Sequence, residues 1–337
     1  MTIETVVVVS ERAPGEPGGL SVAAERIAKL AAGSGARVHL VSWSKLAAPG
    51  ARSVAEHGGV TLHHVGRLPD RTDALQALTD HLNDVIADHS VRLVHAINAV
   101  YAGYAGVLAA SLARIPSIVS ARGNDLDRGL FRSDHLPFVS HALTRASLVT
   151  GVSRALCTQA GQLFSREVHF VPNSVDAAAF RPETADNSLR ASLGLGQDRC
   201  IGFVGELREK KGMRFLLPAF AELTRTRPLR LLLIGGVRSE CQAALDEFRR
   251  SMPAAAERIV DLPYERDPGR LSRLLALCDL LVFPSLYEGM PNALLETMAA
   301  ARPVLATDVG GHRDLIAHGE TGALLSTRDL EDRKSVV

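Results

Sequence analysis

The sequence predicts an α/β protein of two successive domains, each a mostly parallel sheet covered by helices. Three observations lead there. Short β-branched runs alternate with longer helical patterns nearly throughout, the order that βαβ units impose. The alternation lapses in the polar, proline-bearing stretch RPETADN after Phe180 and then starts afresh. The length of 337 residues suits two domains with a core each. We therefore expect a first domain over 1–180, a linker over 181–190 and a second domain over 191–330.

In the first half, strands are expected at Val6–Val9, Arg37–Trp43, Val60–Val65, Arg92–Ala96, Ser117–Ser120, Leu148–Gly151 and Val168–Val171. The helical patterns between them are Ser21–Ala31, Thr72–Asp88, Tyr101–Arg114 and Ser153–Phe164. The second series has strands at Cys200–Val204, Leu229–Ile234, Ile259–Leu262, Leu280–Pro284 and Val304–Thr307. Its helices are Met213–Thr226, Ser239–Ser251, Pro268–Leu277 and Pro291–Ala300. Ligands of such sheets lie beyond the carboxyl ends of the strands, and with two domains the cleft between them is the default site.

Composition narrows the class. Hydrophobic residues make up 46% and charged residues 22%, as in ordinary globular proteins. A net charge of +1 excludes strong whole-chain recruitment to nucleic acid or anionic membrane, leaving a local basic patch open. One Trp, four Tyr and ten Phe, widely scattered, make no base-stacking platform, so no nucleic-acid partner is expected. Cys157, Cys200, Cys241 and Cys278 lie roughly forty residues apart, which suits neither a zinc site nor a disulfide framework. They read as reduced thiols of a cytoplasmic protein. The N-terminal MTIETVVVVSERAPGEP lacks a basic n-region and reads as a first buried strand, not a signal peptide. No apolar run approaches the ~20 residues that span a bilayer. Ten of the twelve histidines lie before residue 181, yet none forms an i, i+4 pair beside a glutamate, and His63 and His64 point to opposite faces of a strand. No protein-bound metal and no cofactor are expected.

The chemistry concentrates in DLLVFPSLYEGMPNALLETMAAA, Asp279–Ala301. A buried strand ends at Pro284, a loop carries Glu288 and Gly289, and Pro291 stands where a helix would begin. The unpaired N–H groups around Asn292 and Ala293, with the positive end of the helix dipole, suit a nucleotide diphosphate. A loop carboxylate such as Glu288 can accept hydrogen bonds from sugar hydroxyls. Glu296, eight residues on and inside the helix, can hold a ribose.

This run resembles the E-x7-E motif of retaining GT-B glycosyltransferases, family 4 in particular, and the resemblance extends over nearly the whole chain. GGLSVAAERIAKLAA is similar to the family's glycine-rich first loop and helix. VHFVPNSVDAAAFRP resembles its P-N-G-V-D…F-x-P segment, with Ser174 where glycine is usual. VGELREKKG resembles its G-R-L-x-x-x-K-G, and LLLIGG its following strand. TDVGGHRDLIAHGETGALL resembles its G-G-x-x-E-x-I…G-x-T-G-x-L-V. The resemblance implies a GT-B fold, two Rossmann-like domains facing each other across a cleft, the second one incomplete here. It implies transfer of a hexose from a nucleoside diphosphate sugar to a hydroxyl acceptor with retained configuration. It implies that no covalent enzyme nucleophile is required and that the departing diphosphate itself takes the acceptor's proton. The acceptor is unidentified. Lipid-linked ones are common among relatives, so peripheral contact with the inner membrane face stays open.

Position by position, the resemblance gives Glu288 the donor sugar, Glu296 the ribose and Lys211 the diphosphate, where a cation offsets the leaving group's charge. The alternative reading of Lys211 is a solvated charge beside Lys210. Gly205 ends the strand before it. Gly18 and Gly19 let backbone approach phosphate or acceptor, or make a plain βα turn. Two departures stand out. The family's arginine after Gly205 is replaced by Glu206, and the nearest cation is Arg208, which can reach back toward the diphosphate. In SARGNDLD, similar to the family's H-G-x-D, Arg122 stands in place of a histidine, followed by Asp125. An arginine binds phosphate or carboxylate but is no neutral acid–base group. His95 matches a second family histidine, at the end of the fourth strand; a lone histidine on a buried strand is equally structural.

Three rivals remain. A sugar-nucleotide epimerase shares the fold. A dinucleotide oxidoreductase would need G-x-G-x-x-G and an acidic residue after the second strand, where this chain reads G-E-P-G-G and VSW. A catalytically inactive binding protein of the same fold accommodates Arg122 and Glu206. Finally, Asp332–Val337, DRKSVV, is encoded by a common short-read sequencing adapter, so residues 331–337 are expected to be a non-native tail on a chain cut short of the family's last helices.

Overall fold

The computed structural model describes residues 4–45, 47–127 and 129–328. The tail expected at 331–337 lies outside them.

The chain divides into two compact units, Met1–Asn173 and Ser174–Val337. The boundary falls ahead of the expected one because the segment after it packs onto residues further along the chain. Phe180 is 3% exposed, in one core with Leu195, Cys200 and Leu232, and Val175 and Ala179 lean on the same core. The polar stretch after Phe180 is therefore a loop of the second unit, not an interdomain linker. It leads into helix Asn187–Ser192, whose first N–H groups are capped by the Asp186 carboxylate.

The first unit holds strands β1 (Thr5–Ser10), β2 (Arg37–Ser44), β3 (Arg52–His57), β4 (Val60–Gly66), β5 (Leu93–Ile97), β6 (Ser117–Ala121), β7 (Leu148–Gly151) and β8 (His169–Phe170) in the order β3-β4-β2-β1-β5-β6-β7-β8. All pairings are parallel except β3 with β4. Val6–Val9 are buried on both faces, so the run shows no alternation. β3 was not expected. Every one of its residues is exposed, so RSVAEH carries no apolar period, and its charges suit an edge.

Helices Gly19–Gly33, Arg71–Asp88, Tyr101–Ala113 and Arg154–Phe164 follow the sequence patterns within two residues. After β6 the chain makes helical turns at Asn124–Asp127 and Gly129–Phe131 and runs into helix Leu136–Arg145, none of which the sequence pattern marked. Pro137 sits in that helix's first turn, where its missing N–H costs nothing, so the proline opens a helix.

The second unit holds β9 (Arg199–Val204), β10 (Leu229–Ile234), β11 (Ile259–Leu262), β12 (Leu280–Phe283), β13 (Val304–Thr307) and β14 (Ala323–Leu325), parallel in the order β11-β10-β9-β12-β13-β14. Leu232 and Ile234 face one core with Leu274, Leu281 and Leu294. Leu231 and Leu233 face another with Phe203, Met213 and Phe220. Two such cores are what a parallel sheet covered on both sides requires.

Each sheet reverses its order at its first strand: β1 lies between β2 and β5, and β9 between β10 and β12. The carboxyl ends of the strands at such a reversal are the usual place for a ligand in open α/β sheets. Among the described residues no helix is long and apolar enough to cross a membrane.

Candidate active site

The reversal point of the second sheet gathers most of the predicted residues. β9 runs out through Gly205 and Glu206 into the helical turn Glu209–Lys211. β12, its neighbour, runs out through Pro284 into the loop that ends at Pro291. The two exits are joined by the Leu286 N–H donating to the Lys210 carbonyl at 2.9 Å. They also touch at Gly212, which has φ +79° and whose added Cβ would lie 1.9 Å from the Pro284 carbonyl. Only glycine fits that turn.

In this seam Glu288 meets two lysines. Lys211 donates from Nζ to Oε1, Lys210 Nζ lies 3.5 Å from Oε2, and Ser285 Oγ is 3.2 Å from Oε1. The side chains of Glu288 and Lys210 are 8% exposed and that of Lys211 14%. Burial alone would raise the Glu288 carboxyl, but the charges of Lys211 and Lys210 and the Lys211 hydrogen bond outweigh it and hold the group at about 2. Burial lowers Lys210 to about 8, against the pull of Glu288 and with the push of Lys211 and Arg208. Lys210 also lies 5.0 Å from the centre of the Tyr287 ring. The site is thus one carboxylate between two ammonium groups, a net positive charge in a nearly dry seam.

The loop around Glu288 is pinned from β13. Thr307 Oγ1 donates to the Ser285 carbonyl, and Gly310, at φ +39°, packs so closely that a Cβ would stand 1.8 Å from the Glu288 carbonyl. The fully buried His312 hydrogen-bonds through Nδ1 to the Thr307 carbonyl at 2.8 Å. A carbonyl only accepts, so Nδ1 carries the proton.

Helix Asn292–Ala299 follows, with Pro291 in the extended cap position at φ −76°, ψ 124°, one place earlier than expected. The first-turn N–H groups, those of Asn292 and Ala293 among them, have no acceptor within the helix. Gly289 is buried before it, and Glu296 is 9% exposed on the helix's inner side with Leu294 and Thr297. Arg208 caps the turn before Lys211, with its guanidinium 3.9 Å from Glu206 and its Nε buried without a hydrogen-bond partner. Glu206 also lies 3.8 Å from Arg238, so the carboxylate that displaces the family arginine is shared between two arginines.

The remaining predicted residues belong to the first unit. Gly18, in the cap position at φ +127°, and Gly19 open helix Gly19–Gly33 and are exposed. His95 lies 2.8 Å from Ser120 Oγ, which lies 2.8 Å from Thr150 Oγ1, a polar chain across β5, β6 and β7. Burial, then the charge of Arg122, lowers His95 to about 4, so its ring is neutral. Arg122 donates to Asn173 Oδ1, and burial brings its guanidinium down to about 10. Asp125 does not face outward: it is 1% exposed and accepts the backbone N–H groups of Ala99, Arg122 and Gly123 at 2.8–3.0 Å. It fixes the loops after β5 and β6.

Three polar groups escaped the sequence reading. Lys210 was seen only as a neighbour of Lys211. His312 lay within the glycine motif. Glu11, one residue past β1, accepts the N–H groups of Tyr101 at 2.9 Å and Ala102 at 3.4 Å, the start of helix Tyr101–Ala113. Burial raises Glu11 to about 7 despite those hydrogen bonds. The folded chain therefore holds a proton that the unfolded chain has released above 4.5, and Glu11 costs stability progressively from pH 4.5 to 7. Glu11→Gln is expected to be more stable than the parent at pH 8 and equal to it at pH 4. Urea midpoints at the two pH values check this.

The metal expectation rested on helical spacing, and the structure adds what spacing misses. Among the described residues, His39, His63 and His89 each offer a nitrogen, all within 4.8 Å of one another.

Comparison with solved structures gives the class first. Sucrose-phosphate synthase from Thermosynechococcus elongatus superposes with a TM-score of 0.80 over 97% of this chain and 87% of that one, at 18% identity. Anabaena Alr3699/HepE, solved with UDP-glucose, superposes at 0.78 over 97% and 88%, at 21% identity. The fold is GT-B. Residues 18–174 match the "Glycosyl transferase 4-like domain" and residues 198–334 match "Glycosyl transferases group 1", so the chain belongs to the GT-B glycosyltransferases.

Among characterised relatives, the D-inositol 3-phosphate glycosyltransferase of Rhodococcus erythropolis (strain PR4 / NBRC 100887) is 34% identical over 172 residues, 49% of this chain and 38% of that protein. The alpha-maltose-1-phosphate synthase of Mycolicibacterium smegmatis is 27% identical over 287 residues, 80% of this chain and 73% of that protein. The match to the inositol-phosphate enzyme thus spans well under half of its length.

Proposed function

We propose that this chain transfers a hexose from a nucleoside diphosphate sugar to a hydroxyl acceptor with retention of configuration. The observation that carries the reading is the Lys210–Glu288–Lys211 cluster at the reversal point of the second sheet, beside the helix start at Asn292. A diphosphate leaving group develops negative charge, and two buried ammonium groups with a helix N-terminus are preorganised to receive it. Lys211 takes the diphosphate, with Arg208 beside it. Glu288 takes hydroxyls of the donor sugar, and Gly289 lets backbone come close. Glu296 takes the ribose, and Asn292 and Ala293 supply N–H groups to phosphate oxygens.

When the diphosphate enters, it competes with Glu288 for the lysines. The carboxylate is then released toward the sugar while remaining ionised. Protein groups supply the positive charge, so the scheme uses no metal ion or cofactor at this site. The acceptor's proton goes to the departing diphosphate oxygen, and the acceptor oxygen forms the new glycosidic bond on the same face. In the first unit, Gly18 and Gly19 let backbone approach the donor phosphate or the acceptor, and His95 and Arg122 serve the acceptor side. Asp125 contributes by holding Arg122's loop. Acceptors of the lipid-linked or polysaccharide kind fit this scheme as well as small sugars do.

The experiment is incubation with UDP-, GDP- and ADP-hexoses and a panel of hydroxyl acceptors, reading diphosphate release and product configuration by NMR. An α-linked product from an α-configured donor is expected. A β-linked product overturns retention. Free altered sugar nucleotide formed without an acceptor points to an epimerase.

A further inference from the structure

A second site lies in the first unit, at the end of the sheet opposite the carboxyl ends of its strands. His39 is the third residue of β2, and His63 stands on β4, the neighbouring parallel strand. The strand register sets His39 opposite Thr61, so His63 is its diagonal neighbour two residues along and projects from the same face. Helix Arg71–Asp88 lays His81 on that face and ends with His89 in its cap position.

Three separate elements thus send imidazoles to one spot. His39 Nδ1 and His63 Nε2 are 3.0 Å apart, the His39 and His89 rings are stacked with centres 4.2 Å apart, and one nitrogen from each of the three lies within 4.8 Å of the others.

We propose that His39, His63 and His89 bind a divalent transition-metal ion, Zn2+ by the chemistry of three imidazoles, tying β2 and β4 to the end of helix Arg71–Asp88. A single proton occupies the short contact between two neutral imidazole nitrogens. A metal ion takes that place and uses both lone pairs. At Zn–N distances of about 2.0–2.1 Å in tetrahedral geometry, ligand nitrogens stand about 3.4 Å apart. His39 and His63 already stand that close, and the exposed His89 ring, stacked on His39, turns to bring its nitrogen to the ion.

The outer arrangement agrees. His63 bound through Nε2 keeps its proton on Nδ1, which faces His81 Nε2 at 3.3 Å, the oriented second partner that ligating histidines usually have. The carboxyl end of the helix dipole favours a cation at His89. His39 and His63 are buried, whereas His89 is exposed, so the fourth position opens to solvent and gives the ion its way in.

The test is titration of the metal-free chain with Zn2+ alone, in competition with a chromogenic chelator, with thermal melts in parallel. One equivalent is expected, with a Tm rise that grows with Zn2+. His39→Ala and His89→Ala are expected to weaken binding about 100-fold or more and to abolish the rise. His81→Ala is expected to cost about 10- to 100-fold. His169→Ala, at an exposed histidine outside the group, should change nothing. His89 is exposed, so its variant stays folded and decisive even if His39→Ala does not. Absence of a stoichiometric site in the folded parent, or equal affinity in parent and His89→Ala, overturns the proposal.

Discussion

Glu288→Gln is expected to lose turnover by about 10²–10³-fold, the range seen when one preorganised electrostatic partner of a reacting group is removed. The substitution keeps the shape and removes the charge that both lysines share. Donor binding should fall less than turnover, because the diphosphate itself can pair with the lysines. Stability should fall too. Removing one member of a buried ion cluster costs up to about 3–5 kcal/mol when the partner's charge has no escape. Lys210 has one: at a folded pKa of about 8, shedding its proton at pH 7 costs about 1.4 kcal/mol. The expected loss at pH 7 is therefore about 1–3 kcal/mol, shrinking toward pH 9 as Lys210 becomes neutral. The parent behaves differently in acid. Glu288 has its folded value at about 2 against 4.5 unfolded, so its contribution is full above 4.5 and lost as pH falls toward 2. Urea midpoints at pH 3, 7 and 9, with initial rates, check both parts. A variant with parental turnover removes Glu288 from the site.

Lys211→Met, a further test of the same cluster, should lower kcat/KM by about 10²–10³-fold, or about 3–4 kcal/mol of transition-state stabilisation. The reasoning turns on burial. A surface lysine paired with a carboxylate is worth about 0–1 kcal/mol, and its loss would barely register. Lys211 is 14% exposed and hydrogen-bonds a carboxylate that is 8% exposed, so its charge acts with little screening. The loss should appear in kcat as well as KM, since the leaving diphosphate carries more charge in the transition state than in the bound donor. A change in KM alone would reduce Lys211 to a ground-state binding group.

The parallel sheets were legible because short apolar runs alternate with longer helical patterns nearly throughout the chain. β10 and β11 and the helix Ser239–Ser251 have the bounds the pattern gives. Legibility failed where burial was absent or a residue's meaning depends on position. β3 has no buried face to impose a period. RPETADN looks like a linker because polarity is local, whereas the packing of Phe180 into the second core is not.

The same division runs through the candidate site. Glu288, Glu296 and Lys211 stand in spaced motifs. The sharing of Glu288 by two lysines follows from the pairing of β9 with β12, about eighty residues apart in sequence. Asp125 carries a motif's position, yet its carboxylate is occupied by backbone N–H groups. The histidine group was invisible for a related reason. His39, His63 and His89 come from separate elements, and no spacing rule connects them.

The second unit is expected to bind a nucleoside diphosphate through Glu296 and the lysine cluster. The most direct test is a calorimetric titration of UDP, GDP and ADP into the chain and into Glu296→Ala. One diphosphate is expected to bind clearly better than the others, and Glu296→Ala to weaken it by about 10-fold or more, the scale of a lost hydrogen bond to a buried charged group. A folded sample that binds none of the three, or binds one equally well with and without Glu296, contradicts it.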